Sequence, residues 1–343
     1  MKDVALNTPR VGFLGTGWIG RHRMEAMVAT GAIAVAAVCD PSEDCRNDAL
    51  ASAPEAQVVA SLDDMLALDL DGVVIATPSA FHAQQSIAAL RAGAAVFCQK
   101  PLGRSAAEAQ AVIDAARTAD RLLGVDLSYR HTEGMKAIGG LVRDGTLGEV
   151  FAVDLVFHNA YGPGKPWFFD PAQSGGGCVI DLGVHLVDLA LWTLGFPPVA
   201  DVQANLLAAG APVQAGQVED FATARFRAGA ADIRLACSWH LHAGRDAVIE
   251  AAFYGTGGGA ALRNVAGSFY DFTAQHFTGT QATTLAEPPD AWGARSAALW
   301  AEQLAVSSRF DPAAEQFARS AEVLDRIYGR QEGPNPHDAR PGP

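Results

Sequence analysis

Two rhythms of apolar and polar positions divide this chain. Up to residue 126, short uninterrupted apolar runs alternate with stretches of helical spacing. The runs are Val11–Leu14, "AIAVAAVCD" ending at Asp40, "DGVVIATPS" ending at Thr77-Pro78, "AAVFCQKP" ending at Gln99-Lys100-Pro101, and "RLLGVDLSYR". Apolar runs of this length read as strands buried on both faces, with the intervening helices making the crossovers. Ser79 is placed to cap a helix through Arg91, and Ser105 to open another that reaches Thr118. Strand, helix, strand repeated in this way predicts a doubly wound parallel sheet.

After residue 127 the period becomes two. A helix is expected over 133–144, before "EVFAVDLVFH", where Phe151, Val153, Leu155 and Phe157 alternate with Ala152, Asp154, Val156 and His158. "ADIRLACSWH" repeats the pattern through Ile233, Leu235, Cys237 and Trp239, and further runs fall near 199–207, 218–227, 246–254 and 267–275. Such alternation predicts a large, mostly antiparallel open sheet with one face buried. The glycine-rich "YGTGGGA" follows a strand but opens no helix, so it reads as a hairpin turn. Residues 291–328 return to helical spacing, and "GRQEGPNPHDARPGP" has the composition of a disordered tail. The fold class is therefore α/β. A dinucleotide-binding domain is expected over 1–126, a second α/β domain over 127–330, and a disordered tail over 331–343.

The first strand runs into chemistry. "RVGFLGTGWIG" places Gly15, Gly17 and Gly20 between strand and helix, and Asp40 ends the next strand twenty residues on. In that context the glycines form a dinucleotide-binding fingerprint. Gly15 permits the tight turn, Gly17 lets backbone approach a pyrophosphate, and Gly20 allows close helix packing, while the helix N-terminus offers free N–H groups. A carboxylate at Asp40 would accept bonds from both ribose hydroxyls and repel a 2'-phosphate, so NAD is expected in preference to NADP. Ligands of such sheets gather beyond the carboxyl ends of the strands. Gly15, Asp40, Thr77, Gln99 and Lys100 all lie at such ends.

A second cluster lies in "GGGCVIDLGVHLVDLALW", residues 175–192. On a helix, Asp181 and His185 would share a face one turn apart while Leu182, Leu186 and Leu189 turn to the core. A carboxylate beside an imidazole orients it and raises its proton affinity, which is one way to tune a general base. Together with Lys100 and a nicotinamide site, the pair supplies the components of alcohol oxidation. No third ligand with recognisable spacing joins them, and "WHLH" at 239–242 has no evident partner, so no metal site is expected.

Composition narrows the class. The chain has 343 residues, 49% of them hydrophobic, which suits two buried cores. A net charge of -13 disfavours nucleic acid and anionic membrane surfaces as partners. "MKDVALNTPR" lacks the apolar core of a signal peptide, and no run suggests a membrane span. Five scattered cysteines, at 39, 45, 98, 178 and 237, read as reduced thiols of a cytoplasmic protein.

Taken with "IATPSAFH", "CQKPL" and the closing "SAEVLDRIY", these segments resemble the Gfo/Idh/MocA family of NAD(P)-dependent oxidoreductases from about residue 9 to 328. The family usually has Glu-Lys-Pro where this chain has Gln99-Lys100-Pro101. The resemblance implies an N-terminal Rossmann domain, a polyhydroxylated substrate such as a pyranose or cyclitol, and a homodimer or homotetramer built through the second domain's sheet. It implies a cofactor site made of Gly15, Gly17, Trp18, Ile19, Gly20, Asp40, Thr77, Pro78, His82, Gln99 and Lys100. Hydride would pass between a secondary alcohol and NAD(H), with His185 as acid/base, Asp181 orienting it, and Lys100 bonding the reacting oxygen. Arg130, Tyr161 and Trp167 are expected to contact substrate beside Lys100, Asp181 and His185. Three alternatives stand beside this one: glycoside cleavage through transient oxidation, imine or double-bond reduction, and a nicotinamide-sensing regulator without chemistry.

Overall fold

Each apolar run of the first third is a strand of one parallel sheet. The computed structural model describes residues 8–290 and 292–330. It builds this sheet from β1 (Arg10–Leu14), β2 (Ala34–Cys39), β3 (Gln57–Val58), β4 (Gly72–Ile75), β5 (Ala95–Cys98) and β6 (Leu123–Val125). Their order, β3-β2-β1-β4-β5-β6, is that of two mononucleotide-binding halves meeting between β1 and β4. The connecting helices are α1 (Trp18–Ala29), α2 (Glu43–Ser52), the short α3 (Leu62–Leu66), α4 (Ser79–Arg91) and α5 (Ala106–Ala119). Ser105 caps α5 by accepting the Glu108 N–H at 3.2 Å, as its position predicts. Ser79 does not cap α4. It is the helix's first residue, the N-cap is Pro78, and no side chain caps the end.

The period-two segments enter a second sheet of nine strands. These are β7 (Val150–Asn159), β8 (Val199–Ala208), β9 (Ala211–Pro212), β10 (Phe221–Ala228), β11 (Ala231–Ser238), β12 (Ala247–Gly255), β13 (Gly259–Asn264), β14 (Phe272–Thr278) and β15 (Gln281–Ala286). The order is β15-β14-β13-β12-β7-β11-β10-β8-β9, antiparallel except for the central β7–β11 pair. "YGTGGGA" is indeed the β12–β13 hairpin. Val153, Leu155 and Phe157 of β7 are buried on the face that α8 (Val184–Leu194) covers, while α6 (Glu133–Arg143) packs on β13, β14 and β15. The short α7 (Pro171–Ser174) precedes α8. The opposite face carries cross-strand ion pairs, Arg225–Asp232, Arg234–Asp154 and Arg263–Glu250.

The chain then returns to the first module. α9 (Arg295–Val306) packs on α1 and β5, and Trp300 meets Phe97 with ring centroids 5.7 Å apart. Its Ala297, Trp300, Ala301 and Leu304 complete the core that contains Val11, Phe13 and Val74. The first module's core therefore uses residues from beyond 290, and a single cut at 126 would open it. α10 (Gln316–Ile327) packs against α5 and α8 and joins the modules. The segment expected to be disordered, 331–343, lies outside the described residues.

Among the described residues one helical stretch, Pro171–Leu194, is long and apolar enough to cross a bilayer by composition. It is a core element, 83% of its apolar window being buried inside the protein. Packing on every side accounts for that composition.

Candidate active site at the module junction

The glycine loop has the geometry its spacing predicts. Gly15 ends β1 at φ +87°, and its N–H donates to the Cys39 carbonyl at 2.8 Å. A Cβ there would stand 2.6 Å from the Ala76 carbonyl, and one on Gly20 would stand 2.1 Å from the Gly15 carbonyl. Gly17 is different. It is the N-cap of α1, and a Cβ placed on it would meet nothing within 4 Å except Lys165 Nζ at 4.0 Å. A helix N-terminus facing open space through a glycine is the cradle a dinucleotide phosphate requires. Trp18 and Ile19 form the first turn, the Trp18 indole lying exposed and stacked on His22. The Asp40 carboxylate is tied to the loop, accepting from Thr16 N–H at 2.7 Å and from Ser42 N–H at 2.9 Å.

Other expected cofactor residues hold the floor of the cleft. Thr77 Oγ1 donates to Gln85 Oε1 at 2.6 Å. His82 is fully enclosed. Its Nδ1 lies 2.6 Å from the Pro101 carbonyl and its Nε2 2.7 Å from the Thr77 carbonyl. The ring fastens the β4 loop to the β5 loop, and burial lowers its proton affinity.

Gln99 and Lys100 leave the end of β5 in different directions. The Gln99 amide donates to Asp126 Oδ2 at 2.7 Å, inside a network closed by Arg23 Nε at 2.6 Å and Ser128 Oγ at 2.9 Å. Asp126 and Arg23 are each about 1% exposed, so this is a buried ion pair with its remaining valences filled. Lys100 reaches the other module. Its Nζ donates to Asp181 Oδ1 at 2.6 Å and to the Asp181 carbonyl at 2.7 Å.

The three glycines before that helix have a steric reason. A Cβ on Gly176 would stand 2.1 Å from the Tyr328 hydroxyl, and one on Gly177 would stand 1.9 Å from the Glu219 carbonyl. The close approach lets the buried Glu219 carboxylate accept from the N–H groups of Gly177 at 3.0 Å and Val179 at 2.9 Å, with the Tyr328 hydroxyl donating at 2.7 Å. The carboxyl is thus held at the helix N-terminus by these donors, while burial raises its proton affinity against them. Residues Val179–Gly183 then form a π-type turn before α8 begins.

Asp181 and His185 do not bond to each other. The second Asp181 oxygen accepts from Trp239 Nε1 at 3.1 Å, so both are occupied, one by a cation. His185 packs edge-on to Tyr129, with centroids 4.9 Å apart, and its Nδ1 is buried without a hydrogen-bond partner. Burial, then Lys100 and Arg23, push its pKa well below the ordinary 6.5. Burial, reinforced by the two cations, lowers its proton affinity, the opposite direction to the expected tuning.

Of the expected substrate ligands, Arg130 is already paired within the protein. Its guanidinium is buried in an ion pair with Asp188, Nε donating to Oδ2 at 2.9 Å, within 5.9 Å of the ring centroids of both Phe196 and Phe317. Tyr161 is exposed on the loop after β7, its hydroxyl donating to Asp246 at 2.6 Å. Trp167 stacks on Phe168 at 3.8 Å. Phe168 and Phe169 both meet the Trp239 ring edge-on, which places this loop behind Asp181. Trp239, Asp126, Arg23 and Lys165 carry no local motif, and the spacing rules that point to Asp181 and His185 pass over them.

Comparison with known proteins agrees with this geometry. Residues 9–127 match the description "Oxidoreductase family, NAD-binding Rossmann fold", and residues 135–261 match "GFO/IDH/MocA C-terminal domain". D-glucoside 3-dehydrogenase of Escherichia coli (strain K12) is 29% identical over 286 residues, covering 76% of this chain and 79% of that protein. Inositol 2-dehydrogenase of Leifsonia xyli subsp. xyli is 35% identical over 198 residues, covering 57% of this chain and 56% of that one. A structure of levoglucosan dehydrogenase with NADH and levoglucosan superposes with a TM-score of 0.79 at 20% identity, covering 94% of this chain and 97% of the other. With both halves matched in order, on the expected pair of sheets, this chain belongs to the Gfo/Idh/MocA family of oxidoreductases and is a dehydrogenase with an NAD-binding Rossmann domain.

Proposed function

We propose that the protein oxidises a secondary alcohol of a sugar or cyclitol, with NAD as the preferred acceptor. The observation that carries this is the Lys100–Asp181 pair standing beside His185 at the carboxyl edge of the parallel sheet. A nicotinamide held by the glycine loop would supply the hydride acceptor. An ammonium has three N–H donors, and Lys100 spends two of them on Asp181. The third is left for the reacting oxygen, where negative charge develops. Asp181 fixes the ammonium and, through Trp239, is itself fixed. His185 takes the hydroxyl proton. Its depressed proton affinity keeps it neutral at neutral pH, so the accepting form is present without a partner on Nδ1. In the reverse direction the imidazolium donates the proton.

Asp40 supports NAD over NADP. Its carboxylate ends β2 and is already fixed by Thr16 and Ser42, so a 2'-phosphate would meet a fixed negative charge. The similarity to named sugar and inositol dehydrogenases supports a polyhydroxylated substrate. Phe168 and Trp239 frame the loop we assign to it, with Tyr161 and Trp167 at its rim. We further propose a homo-oligomer through the ion-paired outer face of the nine-stranded sheet. Five free thiols, four of them buried, support a reducing, cytoplasmic setting.

The test is reduced-nicotinamide absorbance on mixing protein, NAD or NADP, and a panel of inositols, pyranoses and glycosides. Signal with one polyol, abolished in His185→Ala, is the expected result. Substrate consumed without accumulation of reduced cofactor would replace this reading with bond cleavage through transient oxidation.

A further inference from the structure

We propose that Lys165, on the second module's loop between β7 and α7, binds the dinucleotide's pyrophosphate across the cleft from α1. Cofactor binding is thereby tied to the loop that backs Asp181. The assignment rests on the dinucleotide reading of the glycine loop and adds a residue from outside that fingerprint.

Three observations carry it. Lys165 Nζ is the atom that a Cβ on Gly17 would meet, at 4.0 Å, so the ammonium overlooks the position where backbone approaches phosphate. The orphan N–H groups of the α1 first turn aim into the same space, the first helical bond being Arg21 N–H to Gly17 carbonyl at 2.9 Å. Second, Lys165 is the lysine without a carboxylate among the described residues. Lys100 pairs with Asp181 and Lys136 with Glu133, yet Lys165 has no hydrogen bond or ion pair there, in a chain with 38 acidic residues. A cation left unpaired over a helix N-terminus repels that end of the dipole unless an anion lies between them.

The third observation is how the loop is held. Tyr161 N–H donates to Asn159 Oδ1 at 2.7 Å, its hydroxyl to Asp246, and its carbonyl accepts from His240 N–H at 3.2 Å. Further along, Phe168 and Phe169 rest on the Trp239 ring, whose N–H holds Asp181. A phosphate drawn to Lys165 therefore pulls on the same loop that positions the acid of the Lys100–Asp181 pair. Substrate would meet a finished pocket only after cofactor has bound.

Titration of ADP-ribose and of NADH against the full-length protein, read by ligand and tryptophan fluorescence at low salt, tests this without turnover. Adenosine, which lacks the phosphates, is the control. Lys165→Met should weaken ADP-ribose and NADH about five- to tenfold, leave adenosine unchanged, and lose the difference as salt rises. Lys165→Arg should retain most of the affinity. The tryptophan response to ADP-ribose at saturation should shrink in Lys165→Met, because Trp167 and Trp239 flank the loop. Equal ADP-ribose affinity in Lys165→Met and the wild type at low salt would overturn the assignment while the dinucleotide reading stood. A wild type that binds neither NADH nor ADP-ribose would overturn both.

Discussion

Lys100 and Asp181 meet at 2.6 Å across the junction, one leaving the last turn of a parallel-sheet strand and the other opening the central helix of the second module. Neither module contains the pair alone. The ammonium is largely shielded from solvent and donates to both the carboxylate and the carbonyl of one residue, which fixes its direction. Trp239 fixes the carboxylate from behind.

If this unit stabilises an oxyanion, its members act together. Asp181→Asn keeps an acceptor for Trp239 but removes the counter-charge from Lys100, and kcat/KM should fall on the order of 10²-fold. Lys100→Met should fall at least as far, and the double variant no further than the worse single one. Steady-state kinetics on the identified polyol, with cofactor affinity measured separately, provides the check. Additive losses would mean the two residues act independently.

His185 makes a pH prediction with a definite sign. Alcohol oxidation needs the neutral imidazole, and the folded environment disfavours the charged one through burial, Lys100 and Arg23. The acid limb of kcat/KM should therefore fall below 6.5, with a flat profile through neutrality. A limb above that value would show that the imidazole is tuned upward when ligands bind.

The fold was legible wherever a strand buries large side chains. Val11–Leu14 and Val153–Phe157 announce themselves because the apolar set is bulky and regular, although Phe151, expected in the same row, is exposed. β13 does not, since "GAALRN" packs its buried face with alanines and one leucine, a pattern shared by loops and helices. β15 is an exposed edge with no buried row, and β9 is two residues long. In the site, Asp181 and His185 were visible because polar residues interrupt an apolar run. Arg23 and Asp126 were not, because the bond between them spans 103 positions and each looks locally like surface charge. The i, i+4 argument assumed regular α-helical spacing between Asp181 and His185, and could not foresee the π-type turn between them or the lysine from the other module that takes the carboxylate.

The Asp126 network explains what glutamine does where the family usually has glutamate. Gln99 donates to Asp126, whereas Gln99→Glu would set a second buried carboxylate against it with only Arg23 to compensate. Like charges raise the folded pKa of the pair above the unfolded values of about 4, so stability should be lost as pH rises through the raised value. Melting temperature should drop at mildly alkaline pH and recover on mild acidification, and Asp126→Asn in the same chain should rescue it. A pH-independent Tm equal to that of the wild type would mean the network rearranges.

Acid stability has a separate reporter. His131 is lowered to about 4, mainly by burial and then by Arg130. A depressed histidine contributes stability that is complete above its unfolded value of about 6.5 and is lost as pH falls toward the folded value. Thermal melts between these limits should lose stability on acidification, and His131→Asn should flatten the slope. An unchanged slope would transfer the effect to His82 and His185, which shift in the same direction.

Arg130 separates packing from substrate binding. Its guanidinium is bonded to Asp188, which is 2% exposed, and burial raises the proton affinity of that carboxylate against the pull of Arg130. Arg130→Met removes the only ion-pair partner recorded for Asp188 among the described residues and should cost about 3–5 kcal/mol of stability. Replacing both, Arg130→Met with Asp188→Leu, removes the orphaned charge and should recover much of that loss, because a buried pair exchanged for apolar groups of similar size is often neutral. Substrate KM measured on the stabilised double variant should stay within about twofold of the wild type, since neither side chain reaches the Lys100–Asp181 pair. A tenfold rise in KM with no change in Tm, on the order of 1.4 kcal/mol of lost binding, would instead return Arg130 to the substrate pocket.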